Sequence, residues 1–589
     1  MKYKLRNIFP KNPETAIQAI LQARGVTDID NFLHPTAECE LNPYNLENIE
    51  AAATKLLEHV RKGSKILLVV DCDQDGISSS AILWLYIKHI FPQADLSFIM
   101  HEHKQHGLND TINWIELQSF NLVVVPDAGS YDVEEHQRLN DLGIDCIVID
   151  HHEQLLDDEG KPVISTAPNT IVVNNQLSPN YSNKTLCGAG LAYKFCEVLD
   201  DLLDIKQACH YIDLAALGEI ADVMDRTDTE TNYIIVEGLK HISNNGLRTL
   251  IEAQSYSLKD KSIYPYEGLT AIDIAFYIAP LINALMRVGS MTEKEVMFYC
   301  FIEPERPVQS TKRGAKVGDI ETAAEQTARV GKNAKSRQDK IREKALELID
   351  FKIQKNQLQD NNVLIIEVDE KDNIPQEMSG LIAMGIVSKY NKPCLIVRRS
   401  SAGILQGSAR GNSNFSALPE LKDFLEKSGY FEYVAGHMNA FGAGIKANQL
   451  SNFIDYANKV LPPNAFENCY MVDYILDATE DNYNLLYAIS KHPEYFGNHI
   501  DEIKIVVKNI GLKSTLVIGT NKDSIKINYN GVDYVKFKDL SFIEEVNTNS
   551  DQVLNVYGRC NLNYFNGRYS VQVFIDDYEF VYNDHKYDF

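Results

Sequence analysis

Three aspartates stand at alternate positions where an apolar run of the sequence ends. In "KILLVVDCDQDGISSSA", residues 65–81, the run 66–70 is followed by Asp71, Asp73 and Asp75. The run predicts a buried strand, and the segment after Gly76 predicts a helix. A single acidic residue at such a junction is equally well explained as a helix N-cap, so this motif alone does not establish a functional site.

The same arrangement recurs twice further along the chain. "NLVVVPDAGS" ends its apolar run at Asp127, and "DCIVIDHHE" ends at Asp150, His151 and His152. Parallel strands bring their carboxyl ends to one edge of a sheet, where such folds bind ligands. We expect these side chains to meet there, with bound divalent cations relieving the repulsion between the carboxylates. Mixed carboxylate and imidazole ligands suit manganese better than magnesium, iron or zinc.

A fourth contributor is expected from "LAALGEIADVMDRTD", residues 214–228. Asp222 follows an apolar helix face in this segment, and Glu219, Asp225 and Asp228 lie nearby in the sequence. The residue pattern does not choose among these four carboxylates.

The segments that must position these residues alternate between two kinds. Between residues 66 and 175, short β-branched runs alternate with amphipathic stretches, which predicts βαβ units and a parallel sheet covered on both faces. Helical patterns follow from residue 187 to about 300, and a second α/β pattern begins near residue 358. After residue 462 the chain changes to short strands with turn residues, which is typical of a small β-barrel or sandwich.

Length, composition and net charge limit the class of protein further. The chain has 589 residues, of which 44% are hydrophobic and 24% charged, so we expect several globular domains. The net charge of −25 argues against a protein that coats nucleic acid nonspecifically, although a local basic groove is compatible with it. Ten cysteines without a CxxC pair favour neither a disulfide nor a zinc framework, and they suit a reducing cytoplasm. No apolar run suggests a membrane span.

One basic segment stands out in this acidic chain. Residues 306–352 contain 12 Lys and Arg against 7 Asp and Glu, which gives this segment a net charge of +5. The helical spacing of Ile341, Ala345 and Leu348 predicts a long connecting helix. Its charges are compatible both with a solvated face and with a nucleic-acid contact.

Several motifs together resemble one known family. DCDQDG at 71–76, PDAG at 126–129, DHH at 150–152 and GEIADV at 218–223 resemble the DHH phosphoesterase superfamily, and within it the RecJ family of single-strand-specific exonucleases. The resemblance continues, in the family's order, over HGLN at 106–109, IAPLINALMRVG at 278–289, GSAR at 407–410, GHMNAFGAGI at 436–445 and YFGN at 495–498. Ala128, Gln74 and Cys72 depart from the usual motifs, and none of them replaces a proposed ligand.

The resemblance implies a role for each site residue. One metal ion would be held by Asp73 and Asp127, and the other by Asp75, Asp127, His151 and Asp222, so that Asp127 bridges the two ions. Asp71 and Asp150 would orient ligands or water, and His152 would contact the scissile phosphate. The residues implied in substrate binding are Arg287, Ser408, Arg410 and His437.

The resemblance also implies a domain order. We expect a lead-in at 1–49, a DHH catalytic domain at 50–304, a connecting helix at 305–357, a DHH-associated α/β domain at 358–462 and an OB-type β-domain at 463–589. In the last domain, Tyr564 and Phe565 could stack on bases or could equally belong to the core.

The implied function is a cytoplasmic, monomeric, metal-dependent exonuclease. It would use two divalent ions, with manganese preferred and magnesium as the substitute, to release nucleotides from the 5′ end of single-stranded DNA. A single-strand-binding protein or a helicase is a candidate partner, and no membrane is involved. The alternatives are a phosphodiesterase for short oligonucleotides or cyclic dinucleotides, and a non-catalytic scaffold for nucleic-acid processing.

Overall fold

The computed structural model describes residues 1–102, 105–156, 161–462, 465–565 and 568–582. They form two compact units. Unit A comprises Arg24–Asp339 with Glu494–Asp501, and unit B comprises Met1–Ala23, Lys340–Pro493 and Glu502–Phe589. The predicted lead-in is therefore divided between the two units, and a short segment from the C-terminal part of the chain belongs to unit A.

The described residues form both α-helices and β-strands. The helices are α1 (Ala16–Ala23), α2 (Ile29–Leu33), α3 (Ile49–Lys62), α4 (Gln74–Ile90), α5 (Ile112–Ile115), α6 (Val133–Asp141), α7 (Gly188–Leu203), α8 (Ile212–Ala221), α9 (Thr229–Lys240), α10 (Asn245–Glu252), α11 (Ser255–Leu258), α12 (Ala271–Tyr277), α13 (Ala279–Val288), α14 (Met291–Ile302), α15 (Ala323–Lys355), α16 (Ser379–Tyr390), α17 (Leu421–Ser428), α18 (Leu450–Val460), α19 (Tyr483–Ser490) and α20 (Leu540–Thr548). The strands are β1 (Lys2–Leu5), β2 (Ile66–Val70), β3 (Leu96–Met100), β4 (Leu122–Pro126), β5 (Asp145–Asp150), β6 (Thr170–Asn174), β7 (Pro307–Gln309), β8 (Ile320–Thr322), β9 (Leu364–Glu367), β10 (Cys394–Arg399), β11 (Ile404–Arg410), β12 (Phe431–His437), β13 (Ala440–Lys446), β14 (Cys469–Val472), β15 (Tyr474–Asp477), β16 (Lys504–Gly511), β17 (Thr515–Ile518), β18 (Ser524–Tyr529), β19 (Val532–Lys536), β20 (Val553–Phe565) and β21 (Arg568–Val581).

The centre of unit A is a five-stranded sheet in the order β3-β2-β4-β5-β6, and every neighbouring pair is parallel. Alternate residues of its strands enter two different cores. Leu68 and Val70 belong to the core on one face, whereas Leu67 and Val69 belong to the core on the other. Apolar side chains on both faces explain why the strands read as continuous apolar runs. The predicted fold class is confirmed in this unit.

One buried histidine in this unit is expected to make stability depend on pH. His136 in α6 is 0% exposed, and within the described residues neither of its ring nitrogens has a hydrogen-bond partner. Burial lowers the pKa of His136 to about 4, well below the ordinary value near 6.5. Above about pH 6.5 the folded and unfolded states bind the same number of protons there. As the pH falls below that value, His136 binds a proton in the unfolded state but not in the folded state, so the free energy of unfolding decreases.

His136→Leu should therefore remove part of the acid sensitivity of unit A. Between pH 7.5 and 5 the wild-type histidine is expected to cost about 2 kcal/mol of unfolding free energy. Thermal denaturation gives the Tm of wild type and variant at pH 7.5 and at pH 5. The Tm of His136→Leu should fall less between these pH values than the Tm of the wild type. His241→Leu, at an exposed histidine, is the matched control. Equal falls of Tm in wild type and His136→Leu would show that His136 is protonated in the folded state.

The connecting helix begins later than predicted. α15 runs from Ala323 to Lys355 over 33 residues, and the boundary between units A and B falls within it. The predicted helix start at residue 305 is wrong, because β7 and β8 pair as an antiparallel hairpin. Gly314 and Gly318, both with positive φ, lie in the loop between these strands and are poor helix formers.

Unit B contains the second α/β element and the β-rich C-terminal part. A five-stranded sheet has the order β12-β13-β11-β10-β9, with a parallel pair β9–β10 and antiparallel pairs elsewhere. A seven-stranded sheet has the order β15-β16-β20-β21-β19-β18-β17. The N-terminal strand β1 pairs in parallel with β14, which explains why the first residues of the chain belong to this unit.

One stretch is long and apolar enough to cross a membrane by length and composition alone. It is Ala271–Val288, half of which is buried inside the protein. The prediction that no such stretch exists is therefore wrong. In the structure the stretch is divided into α12 and α13, and Ile274, Ile282 and Leu285 pack in the core of unit A. Helices buried in the core of a protein are often as long and as apolar as a membrane span.

Candidate metal centre

The strand ends of the parallel sheet bring the predicted carboxylates and imidazoles together. Asp71 follows β2, Asp127 follows β4, and Asp150 ends β5. Among the described residues, four overlapping groups have potential ligand atoms within 4.8 Å of one another. These groups are Asp71, Cys72 and His106; Asp71, Asp73 and Asp127; Asp75, His151 and Asp222; and Asp127, His151 and His152. Asp71, Asp127 and His151 each belong to two groups, so the groups form one continuous cluster.

His151 lies at the centre of this cluster. Its Nε2 atom is 3.2 Å from Oδ1 of Asp127. The same nitrogen is 3.7 Å from Oδ2 of Asp75 and 3.7 Å from Oδ2 of Asp222. Burial lowers the pKa of His151, which favours the neutral imidazole that a metal ion requires.

Helix starts hold two of the aspartates in place. Asp73 is the N-cap of α4, and its Oδ1 accepts hydrogen bonds from the backbone N–H groups of Asp75 and Gly76. The carboxylate of Asp75 accepts hydrogen bonds from the backbone N–H groups of Gly188 and Ala189, at 2.7 and 2.9 Å, at the start of α7. The N-cap explanation and the ligand explanation of Asp73 are thus both compatible with the structure.

Asp127 occupies the most constrained position of the cluster. Its φ of +68° lies in the left-handed region, which non-glycine residues rarely adopt and which is often found at functional sites. Its Oδ1 is buried and accepts no well-aligned hydrogen bond within the described residues, although Nε2 of His151 lies 3.2 Å away. A Cβ atom added to Gly188 would lie 2.4 Å from this oxygen, so the start of α7 can approach Asp127 only because residue 188 is glycine.

The cluster carries negative charge that the neighbouring protein groups do not balance. Burial raises the pKa of Asp127 well above its usual range, and the charges of Asp75 and Asp73 raise it further. Burial and the charge of Asp75 likewise raise the pKa of Asp222 to about 8. Divalent cations would stabilise the charged carboxylates and so oppose these pKa shifts, and the carboxylate and imidazole donors suit such ions. The residues present therefore fit a divalent-metal centre.

Among the four carboxylates of residues 214–228, the structure brings Asp222 into the cluster. Asp222 caps the C-terminal end of α8, and Val223 after it has a φ of +57°, which is unusual for a β-branched residue. Glu219 is fully buried, and its Oε1 accepts a hydrogen bond from the backbone N–H of Cys187. Asp225 accepts a hydrogen bond from the backbone of Thr227, and Asp228 is the N-cap of α9.

His152 is held by Asp150 beside the cluster. Its Nδ1 donates a hydrogen bond of 2.7 Å to Oδ1 of Asp150, which also accepts from the backbone N–H groups of residues 151 and 152. Burial lowers the pKa of His152, but the hydrogen bond and the charge of Asp150 outweigh burial and raise it to about 9. A protonated His152 whose ring is about half exposed can donate a hydrogen bond to an anionic substrate.

Sequence reasoning missed the partner of Asp71. His106, on the loop after β3, donates from Nδ1 to Oδ2 of Asp71 at 2.6 Å. Cys72 lies against the same ring, with its Sγ 3.7 Å from Nε2 of His106. The only signal in the sequence was the position of His106 in the HGLN motif, which gave no indication of its partner.

Sequence reasoning also missed how the segment Glu494–Asp501 supports the loop that carries Asp222. Arg226, fully buried, donates to the backbone carbonyls of Glu494 and Phe496 and to the Oδ1 atom of Asn232. Asn498 donates from Nδ2 to the carbonyl oxygen of Glu219 at 2.8 Å. These bonds fix both sides of the turn between α8 and α9.

The residues predicted to bind substrate lie in both units. Arg287 is in α13 of unit A, where burial lowers its pKa and the negative charge of Asp73 opposes that effect. It therefore lies near the cluster. Ser408 and Arg410 are two residues apart on β11 of unit B, so they share one face of that strand. His437 ends β12, and its side chain lies outside the part of the chain that the structure describes.

Known protein families match two parts of the chain. The model of the DHH family, N-terminal domain, matches residues 65–219, and the model of the RecJ OB domain matches residues 472–577. The second match confirms the predicted OB-type domain.

Similar proteins extend over nearly the whole chain. The chain is 34% identical over 580 residues to the "Putative SPbeta prophage-derived single-strand DNA-specific exonuclease YorK" of Bacillus subtilis, covering 96% of both chains. It is 24% identical over 584 residues to the single-stranded-DNA-specific exonuclease RecJ of the same organism, covering 95% of this chain and 67% of the relative.

Solved structures show the same fold. The crystal structure of RecJ from Thermus thermophilus in complex with Mn²⁺ matches with a TM-score of 0.69 at 21% identity. The match covers 98% of this chain and 79% of the other. The Mg²⁺ complex of that protein matches with a TM-score of 0.64 at 19% identity, over 98% and 78% of the two chains.

Proposed function

This chain belongs to the RecJ family of DHH phosphoesterases, and we propose that it is a metal-dependent exonuclease acting on single-stranded DNA. It would release nucleotides from the 5′ end. The observation that carries the proposal is the cluster in which Asp127 and His151 each belong to two ligand groups. Such sharing suits a phosphodiesterase centre with two adjacent cations.

The described side chains suggest how the ions would be held. Asp73 and Asp127 would hold one ion, and Asp75, Asp127, His151 and Asp222 the other, with manganese preferred and magnesium able to replace it. Bound divalent ions would neutralise charge on the scissile phosphate and lower the pKa of a bound water molecule. Asp71, held by His106, would orient the group around Asp73 and Asp127.

The remaining residues of the cluster would act on the substrate. The hydrogen bond to Asp150 holds His152 in place and favours its protonated form. His152 would donate a hydrogen bond to a phosphate oxygen and offset the negative charge of the phosphate.

In unit B, the hydroxyl of Ser408 and the guanidinium of Arg410 would bind phosphate, together with His437. The monomeric state, the cytoplasmic location and a single-strand-binding protein or helicase as a partner stay predictions.

The test uses purified protein with manganese and with 5′- or 3′-labelled single-stranded DNA. Duplex DNA, a dinucleotide and a chelator are compared in parallel. Release of nucleotides from the 5′ end of single strands only is expected. Cleavage of the dinucleotide alone would instead indicate a small-substrate phosphodiesterase. No cleavage in either manganese or magnesium would contradict the proposed activity.

A tyrosine pair on the OB-type domain is a candidate surface for stacking DNA bases. Tyr564 on β20 lies opposite Tyr569 on β21, with ring centroids 4.8 Å apart. Both residues are 58% exposed, so Tyr564 does not belong to a core. The side chain of Phe565, the other predicted aromatic, lies outside the described part of the chain.

Tyr564→Ala is therefore expected to weaken binding of single-stranded DNA about fivefold or more. Stacking of one base on an aromatic ring contributes about 1–3 kcal/mol. Fluorescence anisotropy with a labelled oligonucleotide measures the change, with Tyr256→Ala as the control at a tyrosine that is 96% exposed. Equal affinities of Tyr564→Ala and Tyr256→Ala would show that Tyr564 is not part of the DNA-binding surface.

A further inference from the structure

The hairpin of β7 and β8 presents a positively charged loop on unit A. The loop, residues 311–319, reads "TKRGAKVGD" and has three cations and one carboxylate. Lys312, Arg313 and Lys316 are exposed, and Val317 is 101% exposed. Lys312 lies 3.4 Å from Glu321, whereas Arg313 and Lys316 form no ion pair within the described residues. Two free cations at a loop tip are unexpected in a chain with a net charge of −25.

The backbone of this loop is fixed by a dense set of hydrogen bonds. The Nε2 atom of Gln309 donates to the carbonyl oxygens of Lys316 and Asp319, and its Oε1 accepts from the N–H of Gly318. The carboxylate of Asp319 accepts from the N–H of Lys316 at 2.7 Å. One side chain thus connects both sides of the loop, and the tip holds a defined shape.

The base of the hairpin is attached to a buried carboxylate. The side chain of Glu321 is 0% exposed, and its Oε1 accepts hydrogen bonds from the N–H of Thr311, from Gln326 and from Arg329. Arg329 also donates to the hydroxyl of Thr311 at 2.9 Å. Because Gln326 and Arg329 belong to α15, the hairpin is fastened to the start of the long helix.

We propose that this loop binds the phosphate backbone of the DNA substrate, at nucleotides beyond the one being hydrolysed. A preorganised loop loses little conformational entropy when its cations contact phosphates. Exposed cations attract phosphates, and the loop adds local positive charge where the whole chain is acidic. The inference rests on the proposed function, because it assigns a contact to the same substrate.

The test neutralises the loop in a triple variant, K312Q/R313Q/K316Q. Binding of a 30-nucleotide single strand is measured by anisotropy at several salt concentrations, with Asp127→Asn present in every protein to prevent cleavage. Three lost phosphate contacts should lower the slope of log K against log salt by about 2 and weaken binding about tenfold or more near 0.1 M salt. The matched control is R61Q/K62Q/K206Q, which removes the same charges from exposed positions of unit A.

Kinetics with the cleaving enzyme separate this inference from the proposed function. In proteins with Asp127 intact, the loop variant should raise KM for the 30-nucleotide strand while kcat and the cleavage of a trinucleotide stay unchanged. Equal salt slopes and affinities in the loop and control variants would overturn the inference. Absence of any cleavage by the wild type would overturn the proposed activity, while the anisotropy measurement would still decide whether the loop binds DNA.

Discussion

Asp127→Asn is expected to lower manganese-dependent cleavage of single-stranded DNA by at least about 10³-fold, equivalent to about 4 kcal/mol of activation free energy. Asp127 belongs to two of the four ligand groups among the described residues, one with Asp73 and one with His151, so its loss weakens both proposed ion sites at once. The fold should persist in the absence of metal. Without metal, burial and the charges of Asp75 and Asp73 already favour the uncharged form of Asp127 by raising its pKa, so a neutral amide at this position disturbs the metal-free protein little.

Two measurements together check this expectation. Labelled-strand assays follow cleavage, and thermal denaturation follows Tm with and without manganese. An ion at 100 times its Kd stabilises the wild type by about 2.7 kcal/mol, and the variant should lose most of that gain. Asp225→Asn is the matched control, because Asp225 lies close in sequence to Asp222 but belongs to none of the ligand groups. Cleavage by Asp127→Asn above about a tenth of the wild-type rate would contradict the bridging role.

The parts of the site that sequence predicted share a local cause. A run of apolar residues that ends in Asp71, Asp127 or Asp150 defines both the strand and the edge that its end must reach. The carboxyl ends of parallel strands lie at one edge of the sheet, so the topology alone predicts that these aspartates meet. The same reasoning did not choose among four carboxylates in residues 214–228, at the end of α8 and just after it. Asp222 enters the cluster because it stands at the end of that helix, a position fixed by packing.

The missed features depend on contacts between distant parts of the chain. Asp71 and His106 are 35 residues apart, and Arg226 and Glu494 are 268 apart. Nothing in either local sequence specifies such a partner. The hairpin before α15 was missed for another reason. The helical spacing of Ile341, Ala345 and Leu348 predicted one long connecting helix, but this spacing carries no information about residues 306–322, where Gly314 and Gly318 favour a turn.

Gly188→Ala is expected to reduce cleavage by at least about 10²-fold, although alanine favours a helix more than glycine does by about 1 kcal/mol. A Cβ atom at residue 188 would lie 2.4 Å from Oδ1 and 2.7 Å from Cβ of Asp127. Asp127 cannot easily move away, because its backbone is held at a φ of +68° and its side chain is buried. Either Asp127 turns out of the cluster or the start of α7 shifts and weakens its bonds to Asp75.

Rotation of Asp127 and a shift of the start of α7 would both disturb metal binding more than they disturb the fold. The variant should therefore need a higher manganese concentration for half-maximal activity, with a loss of unfolding free energy of about 1–3 kcal/mol from overpacking. Gly331→Ala in α15 is the control, because the nearest atom to its added Cβ is a side-chain carbon at 3.2 Å. Wild-type activity and an unchanged manganese requirement in Gly188→Ala would mean that the approach of α7 to Asp127 does not set the geometry of the centre. Loss of activity with a retained fold would identify residue 188 as the position that limits how closely that helix can approach the metal ligands.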